Sequence, residues 1–244
     1  MEKPTEDKRF FGRRKGKPIK GSRLNLIENL LPKVALQKSE SIYDFSCLFG
    51  IKPREVWLEI GFGGGEHVAE LAKMYPDIGI IGAEPFMNGV ASLLAHLNGS
   101  HMKQAVHSSL EEGRTDNVRI WPDDIRPVFP SFSDGCFERI FVLYPDPWPK
   151  ARHAERRFIN QRNIPELARM VSDTGAVYVA TDVIEYAEWA VEQMALSGLF
   201  EQVHPDTSKP PVDWVPTRYE KKGIAAGRKP TYLVFCKKKS YNKK

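Results

Sequence analysis

Cysteine is scarce: three residues in 244, Cys47, Cys136 and Cys236, with no paired spacing. That argues against a zinc module and a disulfide framework, and it fits a reducing cytoplasm. The six histidines are scattered without metal-ligand spacing, so most read as structural or surface residues and no metal is expected. No apolar run exceeds a few residues, which argues against a membrane span. The N-terminus is charged and lacks an apolar signal region, so a cytoplasmic location is expected. No internal repeat and no convincing Ser-His-Asp or Cys-His set is present. What the chain does have is 41% apolar residues with 13 Phe and 5 Trp, enough to bury a sizeable core.

The net charge of +5 hides a segregation. Residues 1–23 carry nine Lys/Arg against three Asp/Glu, and residues 218–244 carry ten against one. The stretch between them holds 17 basic and 27 acidic residues and is therefore acidic. Basic ends on an acidic body suit a polyanion such as nucleic acid, although solvated solubility tails would look the same. Residues 1–23 read as a flexible basic arm, and 24–244 as a single domain with a basic C-terminal end. A monomer or weak homodimer is expected.

After a lead-in (24–54) without strong period, strands and helices alternate. Strands are expected at 55–60, 78–83, 118–121, 137–144 and 175–181, and near 199–204 and 231–236. Helices are expected at 66–75, 86–97, 101–112, 160–172 and 183–196. Central strands that are apolar throughout imply a mostly parallel sheet covered on both faces, an α/β fold. Ligands bind such sheets beyond the carboxyl ends of the strands. Each of those ends carries an acidic residue here: Glu59, Glu84, Asp123-Asp124, Asp146 and Asp182. Clustered carboxylates repel one another, and a purely structural sheet has no need of them.

Gly61-Phe62-Gly63-Gly64-Gly65 follows the first strand and opens a helix. Glycine permits positive φ and a close approach of backbone to ligand, though a tight strand-to-helix turn would also use it. Glu84 closes the second strand, where a carboxylate can accept both ribose hydroxyls of an adenosine. The dinucleotide fingerprint wants a small residue at position 66, but Glu66 stands there and would repel a pyrophosphate. S-adenosylmethionine has no phosphate and carries a sulfonium cation, which acidic strand ends suit. Either residue of the Asp123-Asp124 pair could reach the adenine amino group or merely cap a helix; Asp124 is preferred and Asp123 stays open.

Tyr144-Pro145-Asp146-Pro147-Trp148-Pro149-Lys150 is the most specific stretch of the chain. Its prolines stiffen the loop, Asp146 offers a carboxylate, and Trp148 offers a flat apolar face, a combination that can grip a nucleobase. Lys150, Arg152, His153, Arg156, Arg157 and Arg162 form a basic cluster beside it that could position phosphates.

These segments resemble the bacterial tRNA (guanine-N7-)-methyltransferases. The likeness rests on Leu58 to Gly63, on Tyr144 to Lys150 with Arg152-His153, on Ala180-Thr181-Asp182 and on Thr217-Arg218-Tyr219-Glu220, and it spans about residues 50–236. It implies a class I methyltransferase fold (Rossmann-like, seven-stranded). It also implies methyl transfer from S-adenosylmethionine to N7 of a variable-loop guanine in tRNA. It implies that Glu59, Glu84 and Asp124 bind the cofactor and that Asp146 is catalytic; the glycine loop itself adds Gly61, Gly63 and Gly65 as expected cofactor contacts. Lys150, Asp182 and Thr217, Arg218, Tyr219 and Glu220 would contact substrate. Pro85 replaces another residue of the family pattern directly after Glu84. Other readings are a different S-adenosylmethionine-dependent methyltransferase, a nicotinamide-dependent oxidoreductase, which Glu66 disfavours, and a non-catalytic RNA-binding protein.

Overall fold

A computed structural model describes residues 12, 14, 16–99 and 116–238. Seven strands form one sheet: β1 (Glu55–Ile60), β2 (Ile78–Ala83), β3 (Val118–Trp121), β4 (Phe137–Leu143), β5 (Val171–Thr181), β6 (Phe200–Gln202) and β7 (Thr231–Lys237). Their order is β3-β2-β1-β4-β5-β7-β6. Strands β1 to β5 pair in parallel, and β7 runs antiparallel to both of its neighbours. Around the sheet lie α1 (Ser22–Asn29), α2 (Leu31–Val34), α3 (Phe45–Leu48), α4 (Glu66–Met74), α5 (Met87–Leu97), α6 (Ile164–Met170), α7 (Ile184–Ser197) and α8 (Arg218–Ala225). No described helix is long and apolar enough to cross a membrane.

Strand β1 shows how the layers arise. Side chains alternate along a strand. Val56, Leu58 and Ile60 enter one core cluster, with Leu167 of α6 and Tyr186 of α7. Trp57 enters the other, with Val68 and Leu71 of α4 and Leu93 and Leu94 of α5. Glu59 shares the face of Trp57, so the strand's period alone turns a carboxylate toward α4. The winding direction reverses between β1 and β4, which opens a crevice beyond their carboxyl ends.

The expected strands occupy their places, with three differences elsewhere. The lead-in carries α1, α2 and α3, where an irregular stretch was expected; α1 buries only Leu26 and α3 nothing, so no apolar stripe marks them. The helix expected over 160–172 is confined to Ile164–Met170 because Pro165 sets its first turn and Val171 is already extended, paired opposite Phe137. Residues 218–225, where no helix is expected, form α8. The helix expected over 101–112 and most of the basic arm fall outside the described residues.

Candidate active site

The crevice is floored by the turn after β1. Gly61, Gly63 and Gly65 all have positive φ. Helix α5 comes down on this turn so closely that a Cβ at Gly89 would lie 2.1 Å from the Gly63 carbonyl oxygen and 3.2 Å from Cγ of Glu84. Gly89 therefore sets the depth of the site, a role that only the three-dimensional contact reveals.

Three carboxylates at neighbouring strand ends, Glu59, Glu84 and Asp124, are buried. Glu84 accepts hydrogen bonds from the backbone N–H of Gly63 (2.7 Å) and of Phe86 (2.8 Å), one on each oxygen. Burial pushes its pKa up, those two N–H bonds pull it down, and the charges of Asp146 and Glu59 push it up further; the net direction is upward. Glu59, 2% exposed, accepts a hydrogen bond from Nδ1 of His67 at 2.7 Å. At the end of β3, Asp124 is bound through both oxygens by the Arg126 guanidinium, at 2.6–3.0 Å, and also accepts the Arg126 N–H. That leaves it about one acceptor position of roughly four. Asp123 accepts from Arg14 of the N-terminal segment at 2.6 Å and from the Asp124 N–H.

These groups line one cavity of about 450 Å³, within the usual range for a small-molecule site. Six carboxylates reach it: Glu59, Glu66, Glu84, Asp123, Asp124 and Asp146. Three of them are paired with arginine: Asp123 with Arg14, Asp124 with Arg126, and Glu66 with Arg218 at 3.5 Å. Phe62, Phe86, Ile125 and Leu143 supply apolar wall. The cavity brings together Glu59, Gly61, Gly63, Glu84, Asp124, Asp146, Thr217, Arg218 and Tyr219. Gly65 sits one step back, as the left-handed cap of α4.

The 144–150 loop crosses the mouth of this cavity. Tyr144 and Trp148 both have positive φ, 50° and 42°, and each precedes a proline, so the backbone is strained where it presents Asp146. The exposed Asp146 carboxylate accepts no hydrogen bond among the described residues. Arg157 holds the loop in place: its guanidinium donates to the carbonyls of Pro147 (2.9 Å) and Trp148 (3.4 Å) and lies over the Trp189 ring. The sequence suggested Arg157 as a phosphate contact. It is buried and cannot be one, whereas Arg156 stacks on Trp148 and Lys150 and Arg152 are exposed. Arg157→Ala is expected to slow single-turnover chemistry roughly tenfold by loosening the loop, with little change in cofactor affinity. An unchanged rate would show that the prolines alone hold it.

Thr217 to Glu220 turn out to start a helix. Thr217 caps α8, its hydroxyl accepting the Glu220 N–H at 3.0 Å. The Thr-x-x-Glu spacing is the sequence signature of such a cap. Arg218 and Tyr219 then lean over the glycine turn; a Cβ on Gly63 would lie 3.1 Å from the Tyr219 ring. Glu220 points the other way. It is 3% exposed and accepts from Nε1 of Trp214 (2.9 Å) and the hydroxyl of Tyr232 (2.6 Å). The Tyr144 hydroxyl is buried at the edge of this cluster, and burial and the Glu220 charge push its pKa up. Neither Glu220, Lys150 nor Asp182 lines the cavity: Lys150 is exposed, and Asp182 pairs with Arg228 above a shallower depression beside β7. Glu220→Ala would strip the partner from the buried Tyr232 hydroxyl and the half-buried Trp214 indole N–H, a loss of about 3 kcal/mol. A fall in melting temperature of roughly 6–12 °C in scanning calorimetry is expected. Slower turnover at an unchanged melting temperature would instead put Glu220 against the substrate.

A sheet of this order with its one reversed strand, and a cavity of carboxylates over a glycine turn at the switch point, define the class I methyltransferases. Two solved structures share the fold. The antibiotic-resistance methyltransferase Kmr superposes with a TM-score of 0.53 at 15% identity, over 85% of this chain and 99% of that one. The 16S rRNA methyltransferase KamB gives 0.50 at 14%, over 83% and 96%. Residues 53–233 match the family described as "Putative methyltransferase". The tRNA (guanine-N(7)-)-methyltransferase of Rhodospirillum rubrum is 43% identical, covering 96% of this chain and 89% of its own. That of Paramagnetospirillum magneticum is also 43% identical, over 95% and 93%. The chain belongs to the tRNA (guanine-N7-)-methyltransferase family.

Proposed function

We propose that this protein transfers the methyl group of S-adenosylmethionine to N7 of a guanine in the variable loop of tRNA. The observation that carries the reading is an acidic, apolar-walled cavity at the switch point, with an unpaired carboxylate, Asp146, presented at its mouth by a fastened loop.

The residues fit the cofactor. Gly61 lines the cavity, and a Cβ built on it would meet nothing within 4 Å, so open space lies directly over its backbone. Glu66 at the start of α4 puts a negative charge where a dinucleotide would need its pyrophosphate, which disfavours a nicotinamide cofactor. The carboxylates instead suit a cationic ligand without phosphate. Across the strand ends, Asp124 on the β3 side would meet the adenine, Glu84 the ribose and Glu59 the amino-acid end. Glu84 uses one lone pair of each oxygen on Gly63 and Phe86, which leaves one on each for the two ribose hydroxyls.

S-adenosylmethionine supplies a methyl group on an electron-poor sulfur. Guanine N7 has an in-plane lone pair and no proton, so no general base is required and alignment is the main task. The base becomes cationic as it is methylated. Asp146 would accept hydrogen bonds from the guanine edge opposite N7 and stabilise that growing charge. Tyr219 over the glycine turn would help to close the pocket, and Lys150, Arg152 and Arg218, all exposed, would face phosphates.

Unmodified tRNA, labelled S-adenosylmethionine and chemical cleavage at 7-methylguanine test the reading. Label at one variable-loop guanine is the expected result. Label on another base position, or on no RNA at all, would overturn it.

A further inference from the structure

We propose that His67 is a positioning residue for the cofactor's amino-acid end, acting through Glu59. The inference rests on the cofactor assignment above and adds a residue that neither the glycine turn nor the strand-end pattern points to.

His67 is the second residue of α4, and it is 3% exposed. It lies on the face of the sheet to which Glu59 turns. In the β1–β4 register Glu59 sits directly opposite Phe141. The His67 ring covers both: its Nδ1 meets Oε2 of Glu59 at 2.7 Å, and its plane meets the Phe141 ring edge-on at 5.3 Å between centroids. Trp214 lies against the ring at 6.2 Å. An ionised carboxylate can only accept, so Nδ1 carries the proton and donates. One oxygen of Glu59 is thereby fixed. The other, Oε1, accepts no hydrogen bond among the described residues, and both Glu59 and His67 line the cavity.

A glutamate has three rotatable side-chain bonds, and an unrestrained one would spread its carboxylate over several directions. The bond from His67 selects one of them and aims Oε1 into the cavity. The cofactor's amino group is a cation with three donors, and its match is a carboxylate oxygen already held in position. Glu59 stands at the end of β1, next to β4 and Asp146, on the opposite side of Glu84 from β3. The end of the cofactor that reaches Glu59 is thus the one remote from the adenine.

The role predicts a difference between two ligands. S-adenosylhomocysteine carries the amino-acid end, and 5′-methylthioadenosine lacks it while keeping the adenosine and sulfur. In His67→Leu, which retains apolar bulk against Phe141 and Trp214, calorimetric affinity for S-adenosylhomocysteine should fall roughly tenfold to a hundredfold, the loss expected for a charge-assisted bond. Affinity for 5′-methylthioadenosine should stay within about twofold. Two further variants separate aim from packing. His67→Asn can place an amide N–H near the Nδ1 position and should restore most of the affinity. His67→Gln places its amide near Nε2 and should not. In steady state, His67→Leu should raise the KM for S-adenosylmethionine and leave the KM for tRNA unchanged. Equal losses for both ligands, no loss for either, or identical behaviour of the Asn and Gln variants would overturn the proposal. Should His67→Leu fail to fold, the Asn and Gln pair decides alone. Wild-type protein that binds neither ligand would overturn the cofactor assignment itself, an outcome distinct from any result that singles out His67.

Discussion

Glu84→Ala is expected to bind S-adenosylhomocysteine about 30- to 1,000-fold more weakly than the wild-type protein. The loss corresponds to roughly 2–4 kcal/mol for two hydroxyl hydrogen bonds to one charged acceptor. The substitution also removes the group that draws the N–H of Gly63 and of Phe86 together, so part of the loss is preorganisation of the glycine turn. A pH dependence follows. Burial raises the pKa of Glu84 above its ordinary 4.5, with Asp146 and Glu59 adding to the effect. The protonated form loses an acceptor, so affinity should fall as pH drops through that raised value, earlier than an ordinary carboxylate would allow. The sign for the ligand-free protein is the opposite. A folded-state pKa above the unfolded one contributes stability that is complete below 4.5 and lost as pH rises through the folded value. At neutral pH the ionised Glu84 therefore weakens the empty fold, and a cationic ligand relieves it. Titration calorimetry from pH 5 to 8 on both proteins measures this. Equal affinities at neutral pH would move Glu84 out of the site.

Strand-end chemistry could be read from the sequence because β1, β2 and β3 all end at the same crevice, although Asp182 after β5 turns to Arg228 instead. Glu59, Glu84 and Asp124 are close in space for the same reason that they are recognisable in the chain. The 144–150 loop was legible from its prolines, and Asp146 is indeed at the cavity. What stayed hidden depends on contacts between remote segments. Gly89 is an ordinary helix residue until α5 is laid against the Gly63 carbonyl. His67 is one of six scattered histidines until the register of β1 and β4 puts Glu59 and Phe141 beneath it. Arg157 belongs to a run of basic residues, and nothing local distinguishes the one that turns inward to the loop carbonyls from those that face water. Glu220 is the reverse case. The Thr-x-x-Glu cap was there to be read, but in the usual capping box the glutamate folds back onto its own helix. Here Trp214 and Tyr232 capture it, and it becomes a brace between α8 and β7.

Asp146→Asn is expected to slow methyl transfer by roughly a hundredfold or more, the range found when a charge-stabilising group is removed. The argument starts from guanine. Its edge opposite N7 presents two donors, N1–H and the N2 amino group, and a carboxylate can accept both. The asparagine amide keeps the shape, turns one acceptor into a donor that faces another donor, and removes the negative charge that favours the cationic product. The loop itself should be unaffected, because its conformation rests on three prolines and on Arg157, and Asp146 accepts no hydrogen bond from any described residue. The melting temperature should therefore hardly change. Cofactor affinity should change far less than the rate, and its direction is informative: Asp146 is close enough to Glu84 to raise that pKa, so removing the charge makes Glu84 easier to ionise. Any charge lost to the cofactor's sulfonium would thus be partly offset at Glu84. Single-turnover methylation and cofactor binding, measured on one preparation, separate the two effects. A variant that methylates at the wild-type rate would mean that Trp148 and the basic residues around it position the base without help, and the role given to Asp146 would have to be withdrawn.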